Sequence, residues 1–298
     1  VRLAGVAQVR NEADIIEAFV RHHLARVDVL YVVDHRSEDG TRAMLDALVA
    51  EQAPLVVMHD DEPAQRQAHN MTRLARQAFE AGADAVLALD ADEFLKMADR
   101  AAFERWLARL PADLCAALEW QTYVPDFARP ATHPLAAARA RRLQEAHGLH
   151  KVVLTRAFRD AGAASVGPGN HTVLMAGPAQ DLARQPVRLA RVPPALAALG
   201  HLPVRNAAQL RTKIALGWRA HQAAAPDDAA LAFHWQELHA ELAAGTPTPA
   251  RLRDIACNYG VPMARWEPAD RVALVDDPLP ADTVLRYGGL ARVLDVMF

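Results

Sequence analysis

Only two cysteines occur in the 298 residues. Cys115 and Cys257 lie far apart without metal-ligand spacing, which excludes a disulfide-stapled scaffold and fits two inert, buried thiols in a reducing compartment. No apolar run reaches the roughly 18 residues needed to span a bilayer, and no signal peptide opens the chain. No transmembrane segment is therefore expected, and the expected location is cytoplasmic. Basic residues do not exceed acidic ones: the net charge is −3, and without a basic stripe nucleic acid is not an expected partner. Lysine is nearly missing. Lys96, Lys151 and Lys213 are the only lysines among 33 basic residues. With the abundant alanine this indicates a bias towards Ala and Arg, against which a retained lysine becomes a candidate for a chemical role. Hydrophobic content of 52% and charged content of 23% are those of a globular protein. The length suits one sizeable core, or one domain with an appendage.

The most informative stretch is Ala85-Val-Leu-Ala-Leu-Asp90-Ala91-Asp92-Glu93-Phe94. An unbroken apolar run reads as a strand buried on both faces of a parallel sheet. Carboxylates just past its end sit at the sheet's carboxyl edge, where open α/β sheets bind ligands. Two like charges about 4 Å apart repel by roughly 4 kcal/mol at an effective dielectric of about 20, so the cluster calls for a cation. Oxygen ligands of this kind suit Mg²⁺ or Mn²⁺ bridging carboxylates to phosphates.

The preceding chain alternates strand and helix. Leu3 to Val9 reads as a first strand, followed by a helical pattern through Ile15, Ile16, Phe19, Val20 and Leu24. Asn11 reads as its N-cap, with Asp14 as capping-box partner. Val27 to Val33 is a second strand, ending in Asp34-His-Arg-Ser37-Glu-Asp39-Gly40-Thr41, with Thr41 capping the next helix. After a third strand, Leu55 to Met58, a helix from about Ala64 to Ala81 places Arg66, Asn70, Arg73 and Gln77 on its polar face. Strand and helix in this order predict a parallel sheet with helical crossovers, its strand ends carrying Arg10-Asn11, Asp34 and Asp90-Asp92 along one edge. The second half is less regular. Strands are expected at Lys151 to Arg156 and Thr172 to Met175, irregular chain over residues 176–200, and helices near 206–223, 228–243 and 248–257. His22, His23 and His147 read as loop or helix-surface side chains.

Val9-Arg10-Asn11-Glu12-Ala13, Tyr31-Val-Val-Asp34 with Ser37-Glu-Asp39-Gly40-Thr41, and Leu89-Asp90-Ala91-Asp92-Glu93-Phe94, in this order at three strand ends, resemble a family 2 glycosyltransferase. The branch is the one that opens on an RNEA motif and carries a DADEF-type DxD motif. The resemblance covers about the first 125 residues, with islands at 148–175 and 201–218. It implies an α/β fold of GT-A type: a Rossmann-like, mostly parallel central sheet flanked by helices, with a C-terminal mainly helical extension. Residues 1–125 would form the nucleotide-sugar half, 126–222 the acceptor-side half, and 223–298 the extension. The implied activity is sugar transfer from a nucleotide-diphosphate donor, by family habit a UDP-sugar. It is metal-dependent with Mn²⁺ or Mg²⁺ and inverts the anomeric centre. The acceptor is an unknown glycan, lipid or protein, such as a surface-glycan precursor.

The resemblance also assigns roles. Asp34 would meet the base or ribose, with Arg10, Asn11 and Glu12 shaping that pocket and Arg66 and Asn70 approaching the base or phosphates. Asp90 and Asp92 would hold the metal and the ribose–diphosphate, completed by His201 or His171. Lys151, Arg205 and Lys213 would hold phosphate oxygens. An inverting enzyme needs a general base; Asp126 and Glu119 are the candidates, with Trp120 and Tyr123 as sugar-stacking walls or core residues. Three other readings use the same acids. A nucleotidyltransferase would use them on the same sheet, and a non-catalytic sugar-nucleotide binder would lack the base. A haloacid-dehalogenase-like phosphatase would take its second acid pair from Asp276-Asp277.

Overall fold

The computed structural model describes residues 1–62, 66–129, 131, 133–175, 185–223, 233–281 and 283–291. In the first half, β1 (Leu3–Val9), β2 (Val29–Asp34), β3 (Leu55–His59) and β4 (Ala85–Leu89) alternate with α1 (Ile16–Leu24), α2 (Thr41–Ala50) and α3 (Gln67–Glu80). β2 and β4 are buried at every position, which is why they read as unbroken apolar runs. The four strands pair in parallel in the order β3-β2-β1-β4. Val9 lies opposite Asp34, and Ala7 opposite Leu89, so the chain leaves β1, β2 and β4 along one edge.

Two buried clusters lie on the two faces of this sheet. Alternate β1 residues divide between them: Leu3, Ala7 and Val9 join α1 and α2, whereas Ala4 and Val6 join α3. α3 buries Met71, Leu74, Ala75, Ala78 and Phe79, one helical stripe. The fold is α/β, with helices on both sides of the sheet.

Beyond β4 antiparallel pairings enter the sheet, which stays parallel at most of its pairings. β5 (Glu93–Met97), α4 (Arg100–Ala108), β6 (Cys115–Thr122), β7 (Ala140–Arg142), β8 (His150–Leu154), α5 (Arg156–Asp160), β9 (Ser165–Val166), β10 (Val173–Met175), β11 (Gln185–Pro186), β12 (Leu189–Arg191) and β13 (Ala197–His201) follow in turn. The main sheet continues from β4 through β8, β6 and β13 to β5. β8 runs antiparallel to β4 and β6, and β13 runs parallel to β6 and antiparallel to β5. β12 and β13, which pair with successive halves of β6, fall in the stretch expected to be irregular. β13 is buried at all five positions, so it shows no alternation for a periodicity to reveal. Residues 176–184 of that stretch lie outside the described residues.

The C-terminal helices are α6 (Ala207–Ala223), α7 (Phe233–Ala244) and α8 (Pro249–Cys257). Leu210, Ile214, Leu238, Leu242, Leu252 and Ile255 form a third cluster between them. The chain then returns to the sheet. β14 (Leu274–Asp276) pairs with β7, Leu279 enters the first core cluster, and Glu17 accepts from the backbone N–H groups of Arg286 and Tyr287, both at 2.8 Å. Among the described residues no helix is long and apolar enough to cross a membrane. Both cysteines are free and buried, and burial pushes their thiols up.

Several local expectations are corrected. Asn11 does not cap α1: it sits at φ 55°, and its Oδ1 accepts from the Glu38 N–H at 2.8 Å. Asp14 pairs with Arg205 instead of closing a capping box. Thr41 is inside α2; the cap position is Gly40 at φ 102°, without a side-chain cap. Glycine is required there, because an added Cβ would fall 2.0 Å from the Leu290 carbonyl oxygen. α3 starts at Gln67, with Arg66 as its N-cap residue; Ala64 lies outside the described residues. His22 and His23 are buried, 3% and 0% exposed, because they back onto β5 instead of facing water.

Candidate functional site

The carboxyl edge of β1, β2 and β4 carries the residues expected there. At the β2 end, Asp34 is fully buried. Its Oδ2 accepts from Arg42 Nε at 2.7 Å and lies 3.6 Å from His59 Nδ1. Its Oδ1 is buried with no hydrogen-bond partner, and so is Nε of Arg10 at the end of β1. A buried polar atom without a partner costs roughly 1–3 kcal/mol, so such atoms persist where a ligand, an ion or an ordered water completes them. Asn11 ties the β1 loop to Ser37 through its backbone N–H and to Glu38 through its side-chain Oδ1.

Asn70 departs from its expected role. It is 2% exposed, and its amide nitrogen donates to Gln8 Oε1 at 2.8 Å and Asp60 Oδ2 at 2.6 Å. Both amide hydrogens are thus committed inside the protein. Gln67, three residues earlier on α3, reaches the site instead and donates to Asp90 Oδ1 at 3.1 Å. Arg66 has no hydrogen bond to the acids among the described contacts.

The acids occupy the turn from β4 into β5. Asp90 Oδ1 also accepts from Asn170 Nδ2 at 2.9 Å, and its Oδ2 pairs with Lys151. Lys151, 1% exposed in its side chain, donates further to the Gly169 carbonyl at 2.7 Å and approaches Glu93 at 3.3 Å. Glu93 accepts from the Asp90 N–H at 2.9 Å and from Trp120 Nε1 at 2.5 Å. Burial pushes Glu93 up to about 8, against the pull of Lys151. Two of the three lysines, Lys151 and Lys213, flank the acid turn. Lys96 does not; it binds Gln121 and Asp277 behind the sheet.

Asp92 faces the other way. Its Oδ2 lies 2.6 Å from Lys213 Nζ and 3.7 Å from His201 Nε2. Burial works against its charge, but Lys213 in particular holds the carboxyl below its ordinary range. The β13–β5 register brings His201 opposite Glu93. Burial pushes His201 down to about 3, so its imidazole is neutral and its Asp92 contact is not an ion pair. Arg205 pairs with Glu12 and, at 2.7 Å, with Asp14, and burial raises Glu12 to about 7. Arg205 Nη1 remains buried without a partner. His171 stands on the Asp90 side, 2.6 Å from the His150 carbonyl through Nδ1 and edge-on to Trp120 at 5.4 Å.

The residues fit a divalent cation in a limited way. Among the described residues no three His, Cys, Asp or Glu side chains form a metal cage. Asp92 Oδ2 and the neutral His201 Nε2 do converge, with an ammonium already drawn to Asp92. One carboxylate, completed by phosphate oxygens and water, matches how such ions are held beside a phosphorylated substrate, and the imidazole would add a nitrogen ligand.

Trp120 forms the wall between the two acids. Its ring stacks on His201 at 4.1 Å and 15°, with the Lys151 ammonium 5.1 Å from its centroid, so it is a packed partition. Tyr123 is fully buried and belongs to the core. Glu119 alternates to the opposite face of β6 from Trp120 and binds Arg191 at 2.9 Å. Asp126 lies in an exposed turn, 3.7 Å from Arg129. Neither has a partner in the acid turn. Asp277 pairs with Lys96 and Arg141, and Asp276 is exposed beside Arg139. The phosphatase reading therefore loses its second acid pair.

No family model matches the chain, and no curated protein does. Solved structures do. Staphylococcus aureus TarS, residues 1–349, is 11% identical, with 81% of this chain and 70% of that chain covered at a TM-score of 0.42. The mannosyltransferase PcManGT from Pyrobaculum calidifontis, in complex with GDP-Man and Mn²⁺, is 19% identical over 90% of this chain and 77% of that one, TM-score 0.42. Glucosyl-3-phosphoglycerate synthase from Mycobacterium tuberculosis, with Mn²⁺, UDP and phosphoglyceric acid, is 20% identical over 40% and 43%, TM-score 0.27. Likeness at this depth does not transfer a function; that has to come from the site.

Proposed function

We propose that the chain is a GT-A glycosyltransferase that moves a sugar from a nucleoside-diphosphate donor, a UDP-sugar, to an acceptor hydroxyl with inversion. The observation that carries this reading is the unpartnered buried Oδ1 of Asp34 on the same sheet edge as the Asp90–Asp92 turn. β2 and β4 are separated by one strand, which puts the two features about 10 Å apart. That is the span from a base to its diphosphate. Asp34 and Arg10 receive the base, and Gln67, Asn170 and Lys151 orient Asp90 towards the ribose–diphosphate. Lys213 and the spare Nη1 of Arg205 hold phosphate oxygens. Asp92 and His201 would hold Mn²⁺ or Mg²⁺, which when bound neutralises charge developing on the departing diphosphate.

The test is nucleoside diphosphate release from UDP-, GDP- and dTDP-sugars with Mn²⁺, with calorimetry of UDP binding. Asp92→Ala is expected to lower Mn²⁺-dependent UDP affinity by about 100-fold, about 2.7 kcal/mol. Unchanged affinity would sink the metal assignment, and pyrophosphate release from nucleoside triphosphates would support a nucleotidyltransferase instead.

A further inference from the structure

Beside Asp92, Trp120, His201 and Tyr259 form a wall of rings: Trp120 stacks on His201, whose ring meets that of Tyr259 at 5.9 Å. His171, Lys151 and Lys213 touch this wall, and so does His147. The His147 ring stands 6.3 Å from Trp120, tilted by 57°, and its Nε2 lies 3.4 Å from the Tyr259 carbonyl oxygen. A carbonyl can only accept, so Nε2 carries the ring proton and Nδ1 keeps a bare lone pair. Nδ1 is buried and has no hydrogen-bond partner. The ring is held closely: Gly260 has φ 79°, and a Cβ there would fall 3.1 Å from Nε2.

The carboxylates around the wall are committed. Both carboxylate oxygens of Glu145 accept from Thr122, at 2.7 Å each. Glu93 is held by Trp120 and the Asp90 N–H, and His201 faces Asp92.

We propose that His147 is the general base of the transfer. The inference rests on the glycosyltransferase reading above. The acceptor hydroxyl gives its proton to Nδ1, and its oxygen bonds to the anomeric carbon. The bond from that carbon to the diphosphate oxygen breaks, and its electron pair leaves with the diphosphate. The resulting imidazolium keeps its Nε2–H on the Tyr259 carbonyl, which steadies the positive charge.

The experiment follows diphosphate release from a donor that the wild type turns over, with water as acceptor. His147→Gln places an amide N–H near the old Nε2 position but has no basic lone pair. Its kcat is expected to fall about 100-fold or more, the usual contribution of a general base. The donor KM and the calorimetric UDP affinity should stay within about threefold, since the donor is held elsewhere. Added imidazole should restore part of the turnover of His147→Ala. A His147→Gln kcat within about threefold of wild type would overturn the inference and leave the glycosyltransferase reading standing. A depressed His147→Ala without imidazole rescue would assign the loss to packing and overturn it too. A wild type that turns over no nucleotide-sugar overturns the function and this inference together.

Discussion

The two ends of the site are built differently. The Asp34 end is assembled from neighbours in the chain: Arg42 is 8 residues from Asp34, and the Asn11–Glu38 bond spans 27. The acid end is assembled from afar. Lys213 reaches Asp92 across 121 residues and Arg205 reaches Asp14 across 191. The ions differ in setting as well. Arg42 is 36% exposed, whereas Lys151 is 1% exposed. The Asp34–Arg42 pair is solvated on its arginine side, so the guanidinium stays hydrated if the carboxylate is lost, and Asp34 keeps Oδ1 free for a ligand. A buried pair cannot lose one member without stranding the other. The Asp34 end therefore tolerates change in folding terms but not in binding, whereas the acid end is part of what holds the molecule together.

The sharpest way to break that contrast is Lys151→Met. It leaves Asp90 and Glu93 without their shared ammonium, and unfolding in urea is expected to show a loss of about 3–5 kcal/mol. A loss below about 1 kcal/mol would show that the acid turn is held by its hydrogen bonds from Gln67, Asn170 and Trp120. At the other end, Asp34→Asn should weaken UDP binding about tenfold by calorimetry, while stability changes by less than about 1 kcal/mol. Equal effects of the two substitutions on stability would erase the distinction.

A smaller effect concerns the support behind β5. His23 Nδ1 donates to the Phe19 carbonyl at 2.8 Å, and its Nε2 accepts from the Leu95 N–H at 3.3 Å. The neutral ring is satisfied on both sides, and burial holds its pKa well below the ordinary 6.5. The unfolded chain takes up this proton below pH 6.5 while the folded chain does not, so stability falls as pH drops. The slope approaches about 1.4 kcal/mol per pH unit. Glu12, Glu93, His171 and His201 titrate with shifts shared by both proteins, so the His23 slope is read as the difference between wild type and His23→Leu in urea unfolding at pH 7.5, 6.5 and 5.5. An unchanged slope in that variant would place the dependence elsewhere.

The legible parts of the fold and site were the ones encoded over short distances. The run Ala85 to Leu89 and the acids after it announced a buried strand and its edge, because hydrophobicity and chain order are properties of adjacent residues. The rarity of lysine singled out Lys96 as much as Lys151 and Lys213, and only the structure separates them. β13 stayed hidden because all its positions are buried, and β5 because only the acid turn separates it from β4. In the sequence His147 reads as a loop or helix-surface residue, and no local pattern distinguishes it. Its tautomer is set by the Tyr259 carbonyl, 112 residues away.

By itself the sequence determined the strand–helix order, the level strand ends and the identity of the acids at one edge. Only the tertiary structure decided which cation meets which acid, that Asn70 is spent inside and Gln67 is not, and that Trp120 is a partition. Those outcomes depend on sheet register. Moving β13 by one residue against β5 would turn His201 to the opposite face of the sheet, away from Asp92.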